Sequence, residues 1–230
     1  MKSAVIVFPG SNCDRDIAVT LSKVTGKKPL MIWHNENVIP KGIDLIVLPG
    51  GFTYGDYLRS GAIASTSKII SEVKNKANKG VAILGVCNGF QILTESGLLS
   101  GILLPNKNLK FICKDVHLRV EENNSVFTKL FKLNEIITIP IAHHDGNYFV
   151  TEEELNILKD KNLIALRYCN PSGEVNIDSN PNGSIENIAG VFSSNKRVLG
   201  MMPHPERLAD IKLGGIEGLK FFEGLLEGFS

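Results

Sequence analysis

The stretch VAILGVCNGFQ, residues 81–91, decides the fold class. An aliphatic run leads into Gly-x-Cys-x-Gly, and an apolar segment, Phe90–Leu93, follows. This order predicts a buried strand, a tight turn and a helix, the geometry of a nucleophile elbow with cysteine in place of serine. Cys87 then lies at a helix N-terminus, where the helix dipole favours the thiolate. A small buried structural cysteine is the alternative for Cys87, and the two flanking glycines favour the nucleophile.

Short aliphatic runs before the elbow predict further buried strands at Ala4–Phe8, Leu30–Trp33 and Leu45–Leu48. Continuous apolar strands that alternate with helices are typical of a parallel sheet covered by helices on both faces. Beyond residue 110, alternating strands and turn clusters favour additional antiparallel strands. The sequence therefore predicts one α/β domain over residues 1–230, with a mostly parallel central sheet, helices on both faces and additional antiparallel strands.

Three helices are predicted from periodicity and end signals. The first runs from Asp14 or Asp16 to Gly26, the second from about 63 to 78, and the third from about 215 to 228. The third helix carries an apolar stripe that begins at Ile216. We also assign to the hydrophobic core several residues of strand-like or apolar runs: Trp33, Cys113, Cys169, Phe221, Phe222 and Phe229.

The composition excludes several functional classes. Lys and Arg number 25 against 24 Asp and Glu, which gives a net charge of +1. This balance argues against electrostatic binding to nucleic acid or to an anionic membrane. Four cysteines without a C-x-x-C pair exclude a disulfide scaffold or a metal finger, so we expect reduced thiols and no metal site. No run approaches a signal-peptide core or the ~18 apolar residues of a membrane span, which favours a cytoplasmic protein.

The segment MPHPE, residues 202–206, supplies a base for the thiol. A residue before proline avoids the helical region, so His204 is predicted to be extended. Side chains two positions apart in an extended chain share a face, which places Glu206 beside His204. A carboxylate beside a histidine is the arrangement that supports a nucleophile. The alternative is a histidine packed in a proline-rich turn with Glu206 in solvent.

The elbow geometry also predicts an oxyanion site. One donor is the backbone amide that follows the nucleophile, here that of Asn88. The other comes from the loop after an earlier strand, where Gly50 and Gly51 follow Leu48-Pro49. Taken alone, the two glycines are equally consistent with a simple turn.

With Gly50-Gly51, Cys87 and His204 in this order, the sequence resembles class I glutamine amidotransferases. Within that class it is most similar to the glutaminase subunits of phosphoribosylformylglycinamidine synthases. The blocks that carry this similarity are FPGSNCDRD (8–16), GGFTYGDYLRSGA (50–62), GVCNGFQ (85–91) and MPHPER (202–207). The segment AHHDGNY, residues 142–148, departs from the Ala-His-Gly-Glu-Gly-Asn-Tyr of that family. The resemblance therefore assigns no role to His144 and Asp145.

The resemblance implies a flavodoxin-like sheet and a set of site residues. Cys87 would attack the side-chain amide of glutamine and form a γ-glutamyl thioester, and His204, oriented by Glu206, would move the protons. The backbone amides of Gly51 and Asn88 would hold the oxyanion. Gln91, one helical turn beyond the nucleophile, would help to hold glutamine, although an ordinary polar helix residue is nearly as good an interpretation.

The resemblance further implies partners. The chain contains neither a Walker-type phosphate loop nor G-x-G-x-x-G, so we expect no cofactor in this chain. In the family, a large synthetase subunit uses ATP and Mg to make formylglycinamidine ribonucleotide, and a small accessory subunit takes part. The chain would then hydrolyse glutamine and deliver ammonia to that synthetase subunit.

Two other classes of function remain open at this point. The first is an independent cysteine hydrolase on a similar sheet, such as a γ-glutamyl peptidase. The second is a binding or regulatory domain that has lost the chemistry. Among the remaining polar residues, Cys13 lies in a polar loop; structural packing is the simpler interpretation, and a position facing a site or interface is the alternative. His143 and His144 are expected to be solvated or capping turn histidines. Asp56, Tyr57 and Arg59 are expected, if functional, to contact a partner or glutamine rather than to transfer protons.

Overall fold

The computed structural model describes residues 1–229. Among these residues, no helix is both long enough and apolar enough to cross a membrane. The strands are β1 (Ser3–Val7), β2 (Leu30–Trp33), β3 (Leu45–Leu48), β4 (Ala82–Val86), β5 (Ile102–Leu104), β6 (Ile112–Val120), β7 (Ile136–His143), β8 (Asn147–Phe149), β9 (Ile164–Cys169), β10 (Ile188–Phe192) and β11 (Val198–Met201). The α-helices are α1 (Asp14–Thr25), α2 (Ala62–Ser65), α3 (Lys68–Asn78), α4 (Asn88–Glu95), α5 (Glu152–Asp160) and α6 (Leu219–Gly228).

One mixed sheet of nine strands forms the centre of the fold, in the order β2-β1-β3-β4-β11-β10-β9-β6-β7. The first five strands of this order are parallel to one another. The remaining four pair antiparallel. A separate two-stranded antiparallel sheet joins β5 to β8. The predicted α/β class, with a parallel half and antiparallel additions, is confirmed.

The parallel half brings together three loops that are distant in sequence. Strands β3, β4 and β11 are neighbours, with Leu48 paired to Gly85 and Met201 paired to Val86. Because parallel strands have their carboxyl ends at one edge, the segments that follow them meet there. Those segments begin at Pro49, Cys87 and Met202. The topology therefore collects the three sequence motifs at one edge of the sheet.

The predicted helix over 63–78 is wrong in one respect, because the structure divides it into α2 and α3. Hydroxyl groups at the end of α2 donate to backbone carbonyls of the same turn, Ser65 to Ala62 and Thr66 to Ile63. Such bonds compete with continuation of the helix. Ser67 then adopts an extended conformation, with φ −62° and ψ 146°, before α3 begins.

The last helix begins later than predicted, at Leu219 rather than near 215. A short 3₁₀ turn, Ile211–Leu213, ends at Gly214 in the left-handed region and redirects the chain. As a result Ile216 lies outside the helix and is exposed. The core side of α6 consists of Phe221, Phe222 and Leu225, which are fully buried.

Two core assignments are also wrong. Trp33 is 46% exposed because β2 is the edge strand of the parallel half. Cys113 is exposed on β6, whereas Cys169 is buried as predicted. Helix α5 has no counterpart among the predicted elements, although Thr151 and Glu154 form a capping box that the sequence displays.

Candidate active site

Cys87 occupies a strained turn between β4 and α4. Its backbone has φ 50° and ψ −107°, a conformation that non-glycine residues rarely adopt and that concentrates at functional sites. The flanking glycines are required by close packing rather than by their own dihedral angles. A Cβ at Gly89 would lie 1.9 Å from the Leu48 carbonyl oxygen, and one at Gly85 would lie 2.7 Å from the Gly89 carbonyl oxygen. The strand–turn–helix geometry predicted for the elbow is thus present.

His204 and Glu206 form a buried pair in the loop after β11. His204 Nδ1 lies 2.6 Å from Glu206 Oε1, and each residue is 1% exposed. The backbone amide of His204 donates to the Pro140 carbonyl and anchors the loop to β7. Because the carboxylate accepts from Nδ1–H, the Nε2 atom is left as the ring nitrogen that can exchange a proton.

The charge state of His204 is set by competing influences. Burial lowers its pKa, but the Glu206 carboxylate, followed by the charge of Cys87, raises the pKa well above its ordinary 6.5. An imidazolium is therefore favoured while Cys87 is a thiolate. Within residues 1–229, His204 Nε2 is a buried polar atom without a hydrogen-bond partner. This atom is available to a substrate group.

The three side chains Cys87, His204 and Cys13 meet above Gly50. A Cβ placed on Gly50 would lie 2.7 Å from His204 Cε1, 3.3 Å from Cys13 Sγ and 3.4 Å from Cys87 Cβ. All of them line a cleft of about 420 Å³. Cys87 and His204 are thus brought together from distant parts of the chain at one small cleft.

Gly51 and Asn88, the predicted oxyanion residues, both lie near the nucleophile. Gly51 lines the cleft, and no hydrogen bond of its amide is found within the described part of the chain. Asn88 directly follows Cys87 as the first residue of α4. The Asn88 side chain holds the loop that follows β3, because its Oδ1 atom accepts a hydrogen bond from the Thr53 amide at 3.1 Å.

Gln91 lines the cleft, but both ends of its side-chain amide have protein partners. Its Oε1 accepts from Asn88 Nδ2 at 2.7 Å, and its Nε2 donates to the Asp145 carbonyl at 2.6 Å. Asp145 in turn accepts from the Ser60 hydroxyl at 2.6 Å. These hydrogen bonds link α4 to the segment after β7. A contact between Gln91 and glutamine would therefore form in addition to the two bonds that the side chain already makes.

Asp56 also faces the cleft, on a turn where Tyr54, Gly55 and Asp56 itself have positive φ angles. Burial, and then the nearby Asp145 carboxylate, raise the pKa of Asp56 from 3.8 to about 6. Asn88 Nδ2 donates to Asp56 Oδ1 at 3.3 Å. Two carboxyl groups therefore stand close together beside the nucleophile.

The two histidines after β7 have different surroundings. His143 is 3% exposed, and its Nδ1 lies 3.0 Å from Asn106 Oδ1. Burial lowers the pKa of His143 to about 4, so it is neutral. The expectation of a solvated or capping residue is wrong for His143. The exposed His144 contacts Asp145, with 2.6 Å between Nδ1 and Oδ1.

Cys13 faces the site, the alternative that its sequence context favoured less than structural packing. Its thiol is 2% exposed and faces the cleft, and Arg207 Nη2 donates to Cys13 Sγ at 3.1 Å. Arg207 is paired more loosely with Asp16, at 3.9 Å between Nε and Oδ2. The only sequence signal was the position of Cys13 within the FPGSNCDRD block, because no local pattern relates residue 13 to residue 204.

The sequence model of the CobB/CobQ-like glutamine amidotransferase domain matches residues 1–212. The chain belongs to this family. It is 54% identical to the phosphoribosylformylglycinamidine synthase subunit PurQ of Rhodospirillum rubrum, over 100% of both chains. It is 51% identical to the subunit of that name from Zymomonas mobilis, over 99% of both. The predicted resemblance to glutamine amidotransferases, and within them to this subunit, is confirmed.

Solved structures agree with these relatives. A chain of PurLQS from Thermotoga maritima has a TM-score of 0.87 and 42% identity, and the match covers 100% of this chain and 99% of that one. A glutamine amidotransferase from Thermotoga maritima has a TM-score of 0.64 at 14% identity, with 99% of this chain and 97% of that chain covered. The second likeness supports the fold alone.

Proposed function

We propose that the chain is the glutaminase subunit of a phosphoribosylformylglycinamidine synthase, hydrolysing glutamine to glutamate and ammonia for a synthetase subunit. The observation that carries the proposal is the meeting of Cys87, on its strained elbow, with the buried His204–Glu206 pair in one cleft. The relatives that carry the PurQ name match over the full length of both chains. The whole chain then acts as one glutaminase domain, since a single sheet contains β1 at one end of the sequence and β11 near the other.

The first half of the reaction releases ammonia. The Cys87 thiolate attacks the side-chain amide carbon of glutamine, and the tetrahedral oxyanion is held by the amides of Gly51 and Asn88. The His204 imidazolium donates its proton to the amide nitrogen, the carbon–nitrogen bond breaks, and ammonia leaves. A γ-glutamyl thioester on Cys87 remains, with His204 neutral.

The second half regenerates the thiolate. Neutral His204 takes a proton from water, and the resulting hydroxide attacks the thioester carbonyl. The carbon–sulfur bond breaks, glutamate leaves, and the imidazolium and thiolate are restored. Glu206 keeps the proton of Nδ1 in place through both halves, so Nε2 alone exchanges protons with the substrate.

The partner proposal assigns the ATP-dependent step to other chains. Neither of the two phosphate-binding loop motifs occurs in the sequence, and the structural relative from Thermotoga maritima is called PurLQS. We propose that a large synthetase subunit, with a small accessory subunit, uses ATP and Mg and receives the ammonia. Glutamine hydrolysis is then slow in the isolated chain, and the complete complex accelerates it. Equal rates with and without the partners would reject the coupling.

The decisive test compares two nitrogen sources in the reconstituted complex. Cys87→Ala is expected to lower glutamine-dependent product formation by at least about 10³-fold and to leave ammonia-dependent formation intact. Cys113→Ala is the matched control, because Cys113 is exposed on β6 and distant from the nucleophile in sequence. Retention of glutamine-dependent activity by the Cys87 variant would reject the mechanism. Cleavage of a γ-glutamyl peptide by the isolated wild-type chain would instead support an independent hydrolase.

A further inference from the structure

Three groups that can bind a metal ion lie close together beside the cleft, and the proposed reaction leaves one of them, Cys13, without a role. The Cys13 Sγ atom, a ring nitrogen of His204 and a carboxylate oxygen of Glu206 lie within 4.8 Å of one another, and all three residues are buried. Cys87 is the third side chain, with Cys13 and His204, that a Cβ on Gly50 would approach. Thiolate and neutral imidazole are the groups that bind Zn²⁺ most readily in proteins.

His204 is oriented as a metal ligand would be. Its Nδ1–H is held by the Glu206 carboxylate at 2.6 Å. A carboxylate on one imidazole nitrogen is the usual support for a histidine whose other nitrogen binds metal, because it fixes the tautomer and the ring orientation. The other nitrogen, Nε2, is buried and has no hydrogen-bond partner among residues 1–229. His204 lines the same cleft as both thiols.

Cys13 also contacts a charged side chain. The Arg207 guanidinium donates to Cys13 Sγ at 3.1 Å. Asp16, 3.9 Å from the guanidinium, offsets part of the positive charge that would repel a cation. The Cys13 and His204 ligand atoms lie within 4.8 Å of each other, near the separation of roughly 4 Å that Zn–S and Zn–N bonds of about 2.3 and 2.0 Å produce.

We propose that Cys13, Cys87 and His204 form an inhibitory site for a soft divalent cation of the zinc class, with Glu206 as the support of the histidine. Binding releases the Nε2 proton of the His204 imidazolium together with any thiol proton still present, and cleft water completes the coordination. The cation occupies Cys87 Sγ and His204 Nε2, the two atoms that glutamine chemistry needs, so metal and substrate exclude each other. Cation binding does not depend on the proposed reaction; only the inhibition rests on it.

The binding experiment uses the full chain and Zn²⁺ in competition with a chromophoric chelator. One equivalent is expected to bind, and Cys13→Ser is expected to weaken binding by about 10–100-fold, the range seen when groups of a metal site are altered. Cys113→Ser serves as the control and is expected to bind as wild type, because Cys113 is exposed on β6 and is not among the residues that line the cleft. Co²⁺ in place of Zn²⁺ should give a thiolate charge-transfer band that the Cys13 variant loses in large part.

A measurement on the wild-type chain covers the case in which the Cys13 variant does not fold. Zn²⁺ is expected to protect both Cys13 and Cys87 from alkylation, measured by peptide mass spectrometry, and to leave Cys113 reactive. The proposed site would be refuted if Zn²⁺ protected Cys87 but not Cys13. It would also be refuted if Cys13→Ser and Cys113→Ser weakened Zn²⁺ binding equally. A chain that binds Zn²⁺ at Cys13 but hydrolyses no glutamine, alone or in the complex, would retain the metal site and refute the proposed function instead.

Discussion

Gly50→Ala tests whether the spacing above Gly50 is what aligns the nucleophile and its base. The Gly50 backbone does not lie in the left-handed region, so alanine is acceptable there on conformational grounds. The added methyl group would lie 2.7 Å from His204 Cε1, whereas ordinary contacts begin near 3.4 Å. The imidazole must therefore retreat by about 0.7 Å, away from Cys87 or towards Glu206.

The expected cost falls mainly on catalysis. A misplacement near 1 Å in an active site costs about 10²-fold in rate, so we expect kcat/KM for glutamine to fall by roughly 30- to 100-fold. Overpacking at a buried site costs typically 1–3 kcal/mol, which in a chain of this length lowers the Tm by roughly 2–10 °C. The protein should remain folded with an impaired site.

Measuring both glutamine-dependent and ammonia-dependent product formation in the complex distinguishes a loss of glutaminase catalysis from a loss of folded protein. The ammonia-dependent rate should be unchanged, since it does not use Cys87 or His204. Gly215→Ala is a matched control, because its methyl group would meet the flexible Leu208 side chain at 3.3–3.6 Å. Wild-type glutamine kinetics in the Gly50 variant, or an equal fall of both activities, would refute the reasoning.

Three further predictions concern single groups. Glu206→Gln should lower glutamine-dependent kcat/KM by about 10²–10³-fold, a loss of about 3–4 kcal/mol, because the neutral amide no longer stabilises the His204 imidazolium. Because Glu206 raises the pKa of His204, the alkaline limb of the pH–rate profile should move to lower pH, unlike in the exposed control Glu223→Gln. Asp56 has a folded-state pKa raised from 3.8 to about 6, so its ionisation opposes folding as pH rises through that window. Asp56→Asn should therefore add about 1–2 kcal/mol of stability at pH 8 and almost none at pH 4, measured by urea unfolding; an equal gain at both would exclude ionisation as the cause. Gly89→Ala should cost about 3 kcal/mol, because the Leu48 carbonyl, 1.9 Å from the new Cβ, is backbone and cannot yield; an unchanged Tm would contradict this.

Local sequence patterns were sufficient for the elements that form the site. The aliphatic run before Cys87 predicted β4, and the glycine spacing predicted the elbow, because both features depend on residues within one strand and one turn. The i, i+2 spacing of His204 and Glu206 likewise predicted a contact that the structure contains. The broken helix after Ala62 was missed because hydroxyl–backbone bonds, rather than apolar periodicity, decide where it ends.

Exposure was harder to predict than secondary structure. Trp33 and Cys113 lie in strands that the sequence predicted, yet both are exposed. A strand pattern does not say whether the strand lies at an edge or which of its faces is covered, since neighbours distant in sequence supply the cover. The order of strands in the sheet is therefore needed before the burial of such residues follows.

By itself, the sequence determined the nucleophile elbow and the histidine–carboxylate pair, because each rests on residues close together along the backbone. It also determined a chain of glutamine amidotransferase type, through the order of four motif blocks between residues 8 and 207. Only the tertiary structure decided that these parts meet, through the adjacency of β3, β4 and β11. It also decided that Cys13 lies against His204 and that Gln91 is tied to Asp145. Contacts between distant segments depend on how the whole sheet is ordered and packed, and no local pattern encodes that order.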